Sequence, residues 1–229
     1  SDDLLDPKFL ETLHHLITTS NSQIAVSAHT PFYNKKKLPS NTKKGKSFFL
    51  SGPKALHNAL FQNNTPDYSA WNKLYSADLW KDNFFAPRKF AEDLATIPDI
   101  LLNTNRIIVT TQPLYFYRKR KDSLLNTPYN KEKTELLEIA ENLLEKISTK
   151  DKRLIPAAEN TLLSASFSIL WKTPDTEEFS DVKKRAYKHI LRLRFKSLFD
   201  TRTRFRNKAA VLFSLLGKRF LIFALRRFG

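Results

Sequence analysis

Acidic and basic side chains lie between residues 90 and 120 of this 229-residue chain in an order suited to a phosphate-bearing substrate. Glu92 and Asp93 form an adjacent acid pair at the predicted start of a helix, and Arg118 and Arg120 follow a predicted strand. A carboxylate can take a proton from a reacting hydroxyl, whereas a guanidinium binds phosphate oxygens and stays charged. The arrangement predicts an active site for an anionic phosphate substrate at the ends of regular elements.

An aromatic and basic segment precedes the acid pair. Residues 69–80 read SAWNKLYSADLW, which places Lys73 between Trp71 and Tyr75. Aromatic side chains at this spacing most often pack in a core. A Lys within an apolar run, however, needs an anionic partner, so a role beside a substrate stays open.

The elements that must position these residues are predicted from hydrophobic periodicity and from helix-breaking residues. Pro98 is predicted in the first turn of a helix that ends at Asn103, because proline within a helix costs about 3 kcal/mol. Pro113 is predicted to separate two strands, at 107–111 and 114–118. The other predicted elements are helices at 7–19 and 51–61, a strand at 23–28, a loop at 35–46, a short helix near 76, and helices at 131–147, 156–171, 181–199 and 207 to the end.

Composition bounds the class of protein. A content of 41% hydrophobic and 12% aromatic residues predicts a globular chain rather than a disordered one. There is no Cys, which excludes disulfides and thiolate metal sites. There is also no Met, which predicts that the sequence is a piece of a longer protein.

Positive charge is concentrated at the C-terminal end. Residues 183–229 hold 15 Lys and Arg but one acid, Asp200, so they carry +14 of the formal net charge of +16. Bulky apolar clusters alternate there with basic pairs, and no apolar run reaches the ~20 residues that span a bilayer. This pattern favours an interfacial helix on anionic lipid over nucleic-acid binding, while a helix that merely covers the domain stays open.

The ordered motifs resemble a known family. Residues 69–80, FAEDLATIPDILL at 90–102 and RIIVTTQPLYFYRKRKDSLL at 106–125 are similar to the acceptor half of bacterial family 2 glycosyltransferases. In that family a W-x-K-L-Y block, an E-D pair and a Y-x-Y-R-x-R/H-x-x-S block follow one another at about this spacing. Ser1-Asp2-Asp3 then resembles the end of the family's D-x-D-D metal motif.

The resemblance implies a fold and a reaction. The fold would be α/β, a partial GT-A-like domain that lacks its N-terminal half, followed by an α-helical C-terminal region. Residues 1–125 would form the acceptor-side half, 126–172 a helical extension and 173–229 a basic amphipathic tail. The reaction would transfer a sugar, with inversion, from a nucleotide-diphosphate sugar to a carbohydrate, polyol-phosphate or lipid-linked acceptor in bacterial surface-glycan synthesis. The chain alone would be inactive.

The resemblance also implies roles for individual residues. Asp93 would be the catalytic base, supported by Glu92. Asp2 and Asp3 would hold a divalent metal, Mg²⁺ or Mn²⁺. The implied substrate-binding residues are Trp71, Lys73, Tyr75, Arg118, Arg120 and Ser123.

Two further expectations concern location and class. The implied site of action is the cytoplasm, on the inner face of the cell membrane, with the tail bound to anionic lipid. The alternative function is a non-catalytic basic helical module that binds an anionic membrane or nucleic acid.

Overall fold

The three-dimensional structure is a computed structural model that describes residues 2–33, 45–62, 66–85, 87, 90–120, 127 and 129–228. Ser1, Ser123 and most of the predicted loop at 35–46 lie outside these residues. The chain forms two compact units. The α/β unit comprises Ser1–Ala59, Asn64–Phe85 and Thr96–Thr127, and the helical unit comprises Leu60–Asn63, Ala86–Ala95 and Pro128–Gly229. The functional division predicted at residues 125 and 172 stays a prediction.

The first part of the chain mixes strands and helices, as the sequence predicts, but the short strands at Leu4–Leu5, Ser47–Leu50 and Lys73–Tyr75 were not predicted. A 3₁₀ turn at Ala77–Trp80 occupies the place of the short helix predicted near residue 76. The regular elements are β1 (Leu4–Leu5), α1 (Phe9–Ser20), β2 (Ile24–Phe32), β3 (Ser47–Leu50), α2 (Gly52–Phe61), β4 (Lys73–Tyr75), α3 (Glu92–Leu102) and β5 (Ile107–Arg118).

The sheet of the α/β unit is organised around β5. Strand β2 runs parallel to β5 along one edge, and β4 pairs antiparallel with the far edge of β2. The other edge of β5 pairs antiparallel with β3 near Ile107 and with β1 near Tyr115. The carboxyl ends of the parallel β2 and β5 therefore lie side by side, next to the N-terminal strand.

Strand β5 corrects the prediction of two strands broken at Pro113. The strand is continuous, but its register against β2 shifts on both sides of Ala28, which faces Pro113. Proline has no N–H to give to a ladder, so it is tolerated where the pairing is irregular. The sequence therefore predicted the position at which the β2–β5 pairing becomes irregular. The strand continues past Pro113 because β5 pairs with β2 on both sides of it.

Helix α3 corrects the prediction for Pro98. The helix begins at Glu92 and Pro98 lies inside it, not in its first turn. Ile97, Ile100 and Leu101 are fully buried. Burying each such side chain contributes about 1.5–3 kcal/mol, which together outweighs the penalty for an internal proline.

The core of the α/β unit lies between α1 and the sheet. Phe9 and Leu13 of α1 pack against Ala25, Ile108 and Leu114 of the two parallel strands. Phe9 also contacts the edge of the Tyr115 ring, with 6.1 Å between ring centroids. This packing anchors the N-terminal segment beside the end of β5, where the predicted substrate-binding arginines lie.

The helical unit is built from five helices that follow residue 130. Asn130 caps the first of them, since its side chain accepts a hydrogen bond from the backbone N–H of Lys133 at 3.1 Å. Their apolar faces share one core, which includes Leu137, Leu162 and Ile190. The helices are α4 (Lys131–Lys150), α5 (Ile155–Lys172), α6 (Ser180–Phe199), α7 (Phe205–Leu215) and α8 (Lys218–Phe228).

The C-terminal segment corrects another prediction. The single helix expected from residue 207 onward is two helices, α7 and α8, separated at Leu216 and Gly217. Gly217 has a φ of 104°, a conformation that glycine adopts without strain. Among the described residues, no helix is both long enough and apolar enough to cross a membrane.

Candidate active site

The N-terminal acids and the end of β5 lie together in the α/β unit. Strand β1 pairs with β5 so that Leu4 faces Phe116 and Leu5 faces Tyr115. Asp3 therefore lies beside the last residues of β5, where its Oδ2 accepts a hydrogen bond from the Tyr115 hydroxyl at 2.7 Å. Its Oδ1 accepts another from the backbone N–H of Arg118 at 2.8 Å. Two motifs from opposite ends of the unit thus form one polar cluster.

Asp2 and Arg120 form an ion pair in the same cluster. The Arg120 Nε lies 2.8 Å from the Asp2 Oδ2, and both side chains are partly open to solvent. A partly exposed pair of this kind contributes at most about 1 kcal/mol to folding, so its partners can separate at little cost. The guanidinium of Arg120 is therefore accessible to a competing anion.

Arg118 carries unused hydrogen-bonding capacity. Its backbone is held by Asp3, but its side-chain Nε is buried and has no hydrogen-bond partner among the described residues. An unsatisfied buried donor is unfavourable unless a further acceptor is bound. The half-buried Arg118 side chain is thus suited to an anionic ligand.

Tyr115 is held protonated by its surroundings. Burial, and next the hydrogen bond to Asp3, raise the pKa of Tyr115 above its ordinary value. The phenol therefore remains a donor to Asp3 throughout the physiological range. It orients the carboxylate rather than acting as an acid or a base.

Stacked aromatic rings adjoin this cluster. Trp71 lies nearly parallel to Tyr117, with 5.4 Å between ring centroids and 12° between ring planes. The centroid of the Trp71 ring also lies 4.4 Å from that of Tyr115 and 4.9 Å from that of His29. Trp71 and Tyr117 are only partly buried. The exposed parts of these rings form an apolar wall, which suits the flat face of a sugar.

Lys73 finds its anionic partner inside the protein. Its side chain is 0% exposed, and its Nζ lies 3.3 Å from the Asp67 Oδ1 and 2.8 Å from the Asn72 Oδ1. Burial raises the pKa of Asp67, but Lys73 and the hydrogen bonds from Ser69 act more strongly in the opposite direction, so the pKa lies below its ordinary value. Lys73 is therefore held by polar groups of the segment 67–72, which also carries Trp71.

Tyr75 lies at the end of the same strand. Its ring contacts the edge of Trp80, with 5.4 Å between centroids, and its hydroxyl donates to the Ala70 carbonyl at 3.4 Å. The Tyr75 side chain is half-buried. Its contacts fix the turn that carries Trp71.

Glu92 and Asp93 begin α3, as the sequence predicts, and belong to the helical unit. Both are partly accessible to solvent. Ala91, which precedes them, has a φ of 57°, and its carbonyl accepts the Ala95 N–H at 3.1 Å. Glu92 and Asp93 are thus the acidic residues of the first turn of α3.

The described residues do not form a metal site by themselves. Hard carboxylate oxygens suit Mg²⁺ or Mn²⁺, but Asp2 is paired with Arg120, and both Asp3 oxygens accept hydrogen bonds. No group of three His, Cys, Asp or Glu within the described part of the chain is placed to hold a metal ion. The metal expected at Asp2 and Asp3 stays a prediction.

Two residues of the site have no distinct sequence signal. His29 is on β2 and packs edge-on against Trp71, and partial desolvation of its ring lowers its pKa, with Asp67 acting in the opposite direction. Asp67 is the partner of Lys73. The sequence offers one indication of a role for His29, which is its position directly after the strand predicted at 23–28.

Comparisons with known proteins bear on the fold. No protein-family model and no curated protein sequence matches the chain. Among solved structures, residues 1–349 of Staphylococcus aureus TarS in complex with UDP-GlcNAc are similar, with a TM-score of 0.58 and 16% identity. That match covers 99% of this chain and 64% of the TarS chain.

A second crystal structure of the same TarS residues gives a TM-score of 0.57 at 14% identity, covering 99% of this chain and 63% of TarS. The chain therefore spans less than two thirds of the TarS chains. At this identity the likeness establishes the fold alone. It confirms the predicted fold class, a partial glycosyltransferase-like α/β domain followed by an α-helical region.

Proposed function

We propose that this chain is the acceptor-side part of a family 2-like glycosyltransferase that uses a nucleotide-diphosphate sugar. One observation carries the proposal: Asp3 and the end of β5 are joined through Tyr115 and the backbone of Arg118. The motifs matched to the family at both ends of the α/β unit are thereby brought into one polar cluster. The fold likeness to TarS, whose structure holds UDP-GlcNAc, supports the choice of donor class.

In the proposed reaction Asp93 is the base. Its carboxylate takes the proton of an acceptor hydroxyl as that oxygen attacks the anomeric carbon of the donor sugar. The bond between this carbon and the diphosphate oxygen breaks, and the nucleoside diphosphate leaves with the bonding electrons. Attack from the face opposite the leaving group inverts the anomeric centre. Glu92 supports the base at the start of α3.

The leaving diphosphate is the proposed ligand of the arginines. Arg118 offers an unsatisfied Nε, and Arg120 is held by an ion pair that is easily exchanged. Guanidinium groups bind two oxygens at once and stay charged, so they stabilise the negative charge that develops during bond cleavage. Ser123, outside the described residues, is assigned to the same region by the motif alone.

The proposed sugar-binding wall is formed by Trp71 and Tyr117. Their rings are stacked and partly exposed, and Lys73 and Tyr75 hold the turn that carries Trp71. The proposed acceptor is a carbohydrate, a polyol phosphate or a lipid-linked glycan of the bacterial surface. Mg²⁺ or Mn²⁺ remains the metal proposed by resemblance, and no step is assigned to it.

The test is acceptor-dependent release of nucleoside diphosphate. The full-length protein that contains this chain would be incubated with a panel of nucleotide sugars, including UDP-GlcNAc, with and without polyol-phosphate or glycan acceptors. The proposal expects release of UDP or another nucleoside diphosphate that rises with acceptor. Failure of every donor to bind in calorimetry and to turn over would overturn it.

A further inference from the structure

Helix α7 buries two polar residues and leaves several of its bulky apolar residues exposed. Its inner face includes Asn207 and Ser214, which are 4% and 1% exposed. Both are satisfied inside the helical unit: the Asn207 amide donates to the Ser164 hydroxyl at 2.8 Å, and the Ser214 hydroxyl donates to the Val211 carbonyl. The inner face of α7 therefore packs against the rest of the helical unit, and these hydrogen bonds fix the orientation of the helix.

The outer face of α7 is apolar along its whole length. Phe205, Leu212 and Leu216 are 85%, 51% and 63% exposed, and Ala209 and Phe213 lie at the same helical spacing. A helix in contact with water normally has its polar side outward. Large exposed apolar patches mark a surface that contacts another apolar phase.

Helix α8 extends this surface with aromatic and basic side chains. Leu221, Ala224 and Leu225 face the core of the helical unit. Phe220 and Phe223 point outward, 60% and 68% exposed, and helical spacing places them among Arg219, Arg226 and Arg227. Apolar rings interleaved with arginines are typical of a helix that lies in the membrane interface.

A groove runs between the two helices. It has a volume of about 330 Å³. Helix α7 lines it with Phe205, Ala209 and Phe213, and helix α8 lines it with Ala224 and Leu225. Arg206 also lines it. An apolar groove with a cation at its edge matches the chemistry of a phospholipid, which has an apolar chain and an anionic headgroup.

The basic residues of α7 and α8 distinguish among the candidate occupants of this surface, which are a lipid bilayer, a second copy of the chain and nucleic acid. Within the described part of the chain, Arg206, Arg219 and Arg227 form no ion pair with the protein's own acids, and residues 183–229 carry +14. Two such surfaces would repel each other, which disfavours a second copy of the chain. Nucleic acid would neutralise the arginines but would leave the exposed rings of α7 without a partner.

We infer that the α7–α8 hairpin is a docking surface for an anionic lipid bilayer. Each helix has 11 residues, too few to cross a bilayer, so the hairpin lies on the membrane with its apolar residues among the acyl chains and its arginines at the headgroups. The inference rests on this surface alone. It is independent of the proposed transfer reaction and is tested without an activity readout.

The test is co-sedimentation with phosphatidylcholine vesicles, with and without phosphatidylglycerol. Wild-type protein is expected to bind the vesicles that contain phosphatidylglycerol and not the neutral ones. The double substitution Phe205→Ser with Leu212→Ser should weaken this binding about tenfold or more. Its matched control is Leu10→Ser with Phe84→Ser, which removes equally exposed side chains from the α/β unit and should bind as wild type does.

A second pair of variants separates the two components of binding. Phe220→Asp with Phe223→Asp should abolish binding, and Arg219→Gln with Arg227→Gln should weaken it while leaving circular dichroism unchanged. Equal binding to neutral vesicles, or binding that is unchanged by both double substitutions of apolar residues, would overturn the inference. A concentration-dependent dimer that the Phe205→Ser and Leu212→Ser variant loses would assign the surface to a second copy instead.

Discussion

The Tyr115 hydroxyl donates a 2.7 Å hydrogen bond to the carboxylate of Asp3, which lies 112 residues earlier in the chain. This contact closes the N-terminal strand onto β5 and orients the acid beside the arginines. Tyr115 is buried and Asp3 is half-buried, so the bond is partly shielded from water. It is therefore expected to matter for stability as well as for the geometry of the site.

Tyr115→Phe should lower the free energy of unfolding by about 1.5 kcal/mol at pH 7, since it removes a hydrogen bond to a charged acceptor. The pKa of Tyr115 is raised on folding, so its contribution is present below about pH 10 and is lost as the pH rises through the folded value. The difference between variant and wild type should therefore shrink above pH 10. Urea unfolding at pH 7 and pH 10.5 measures this. Tyr33→Phe, at an exposed position, is the control and should change nothing.

The buried pair of Lys73 and Asp67 should respond unequally to substitution. Asp67→Ala leaves a fully buried ammonium without its anion and should cost about 3–5 kcal/mol. Lys73→Met should cost less, because the Asp67 side chain is 37% exposed and can be hydrated. Denaturant unfolding of both variants at pH 7 measures the asymmetry. If both variants lost the same free energy of unfolding, an unpaired Asp67 would be as unfavourable as an unpaired Lys73, and the prediction would be wrong.

The same pair also predicts a pH dependence. The pKa of Asp67 is lowered on folding from an ordinary value of 3.8. Its contribution is therefore present above the unfolded pKa and is lost as the pH falls through the folded pKa. The stability difference between wild type and Asp67→Ala should shrink below about pH 4. A difference that stays constant down to pH 3 would contradict this assignment.

Arg120→Gln should separate binding from stability. Its ion pair with Asp2 is partly exposed, so the free energy of unfolding should change by about 1 kcal/mol or less. Affinity for UDP-GlcNAc should fall about tenfold, or 1.4 kcal/mol, if Arg120 contacts the diphosphate. Calorimetry on the full-length protein measures this. Arg153→Gln, which breaks the exposed 2.8 Å pair with Asp151, is the matched control and should not alter affinity.

Asp93→Asn should remove most turnover of the full-length protein. An amide keeps the shape of the carboxylate but cannot accept the proton, so kcat is expected to fall roughly 10²–10⁴-fold with donor affinity nearly unchanged. Asp78→Asn, an exposed acid paired with Lys81, should retain wild-type activity. A variant at Asp93 that keeps roughly a third of kcat would place the base elsewhere.

Local sequence patterns predicted most elements but not the details that depend on packing. The helix at 131–147 was predicted from its steady apolar stripe, and α4 at Lys131–Lys150 confirms it. Pro98 and Pro113 were assigned by their local penalties, and both predictions failed in the same way. Burial of α3 outweighs one proline, and pairing with β2 carries β5 past the other.

The amino-acid sequence by itself determined the charge asymmetry, the mixed α/β order and the acid pair at the start of α3. These depend on residue type and on spacing within one or two turns. Tertiary structure alone decided that Asp3 meets Tyr115, that Asp67 neutralises Lys73 and that α7 presents its apolar side outward. Each of these outcomes joins residues from different elements or decides which face of one helix packs against the core. Local patterns hold no information on that choice, because the free energy that settles it comes from contacts made only in the folded chain.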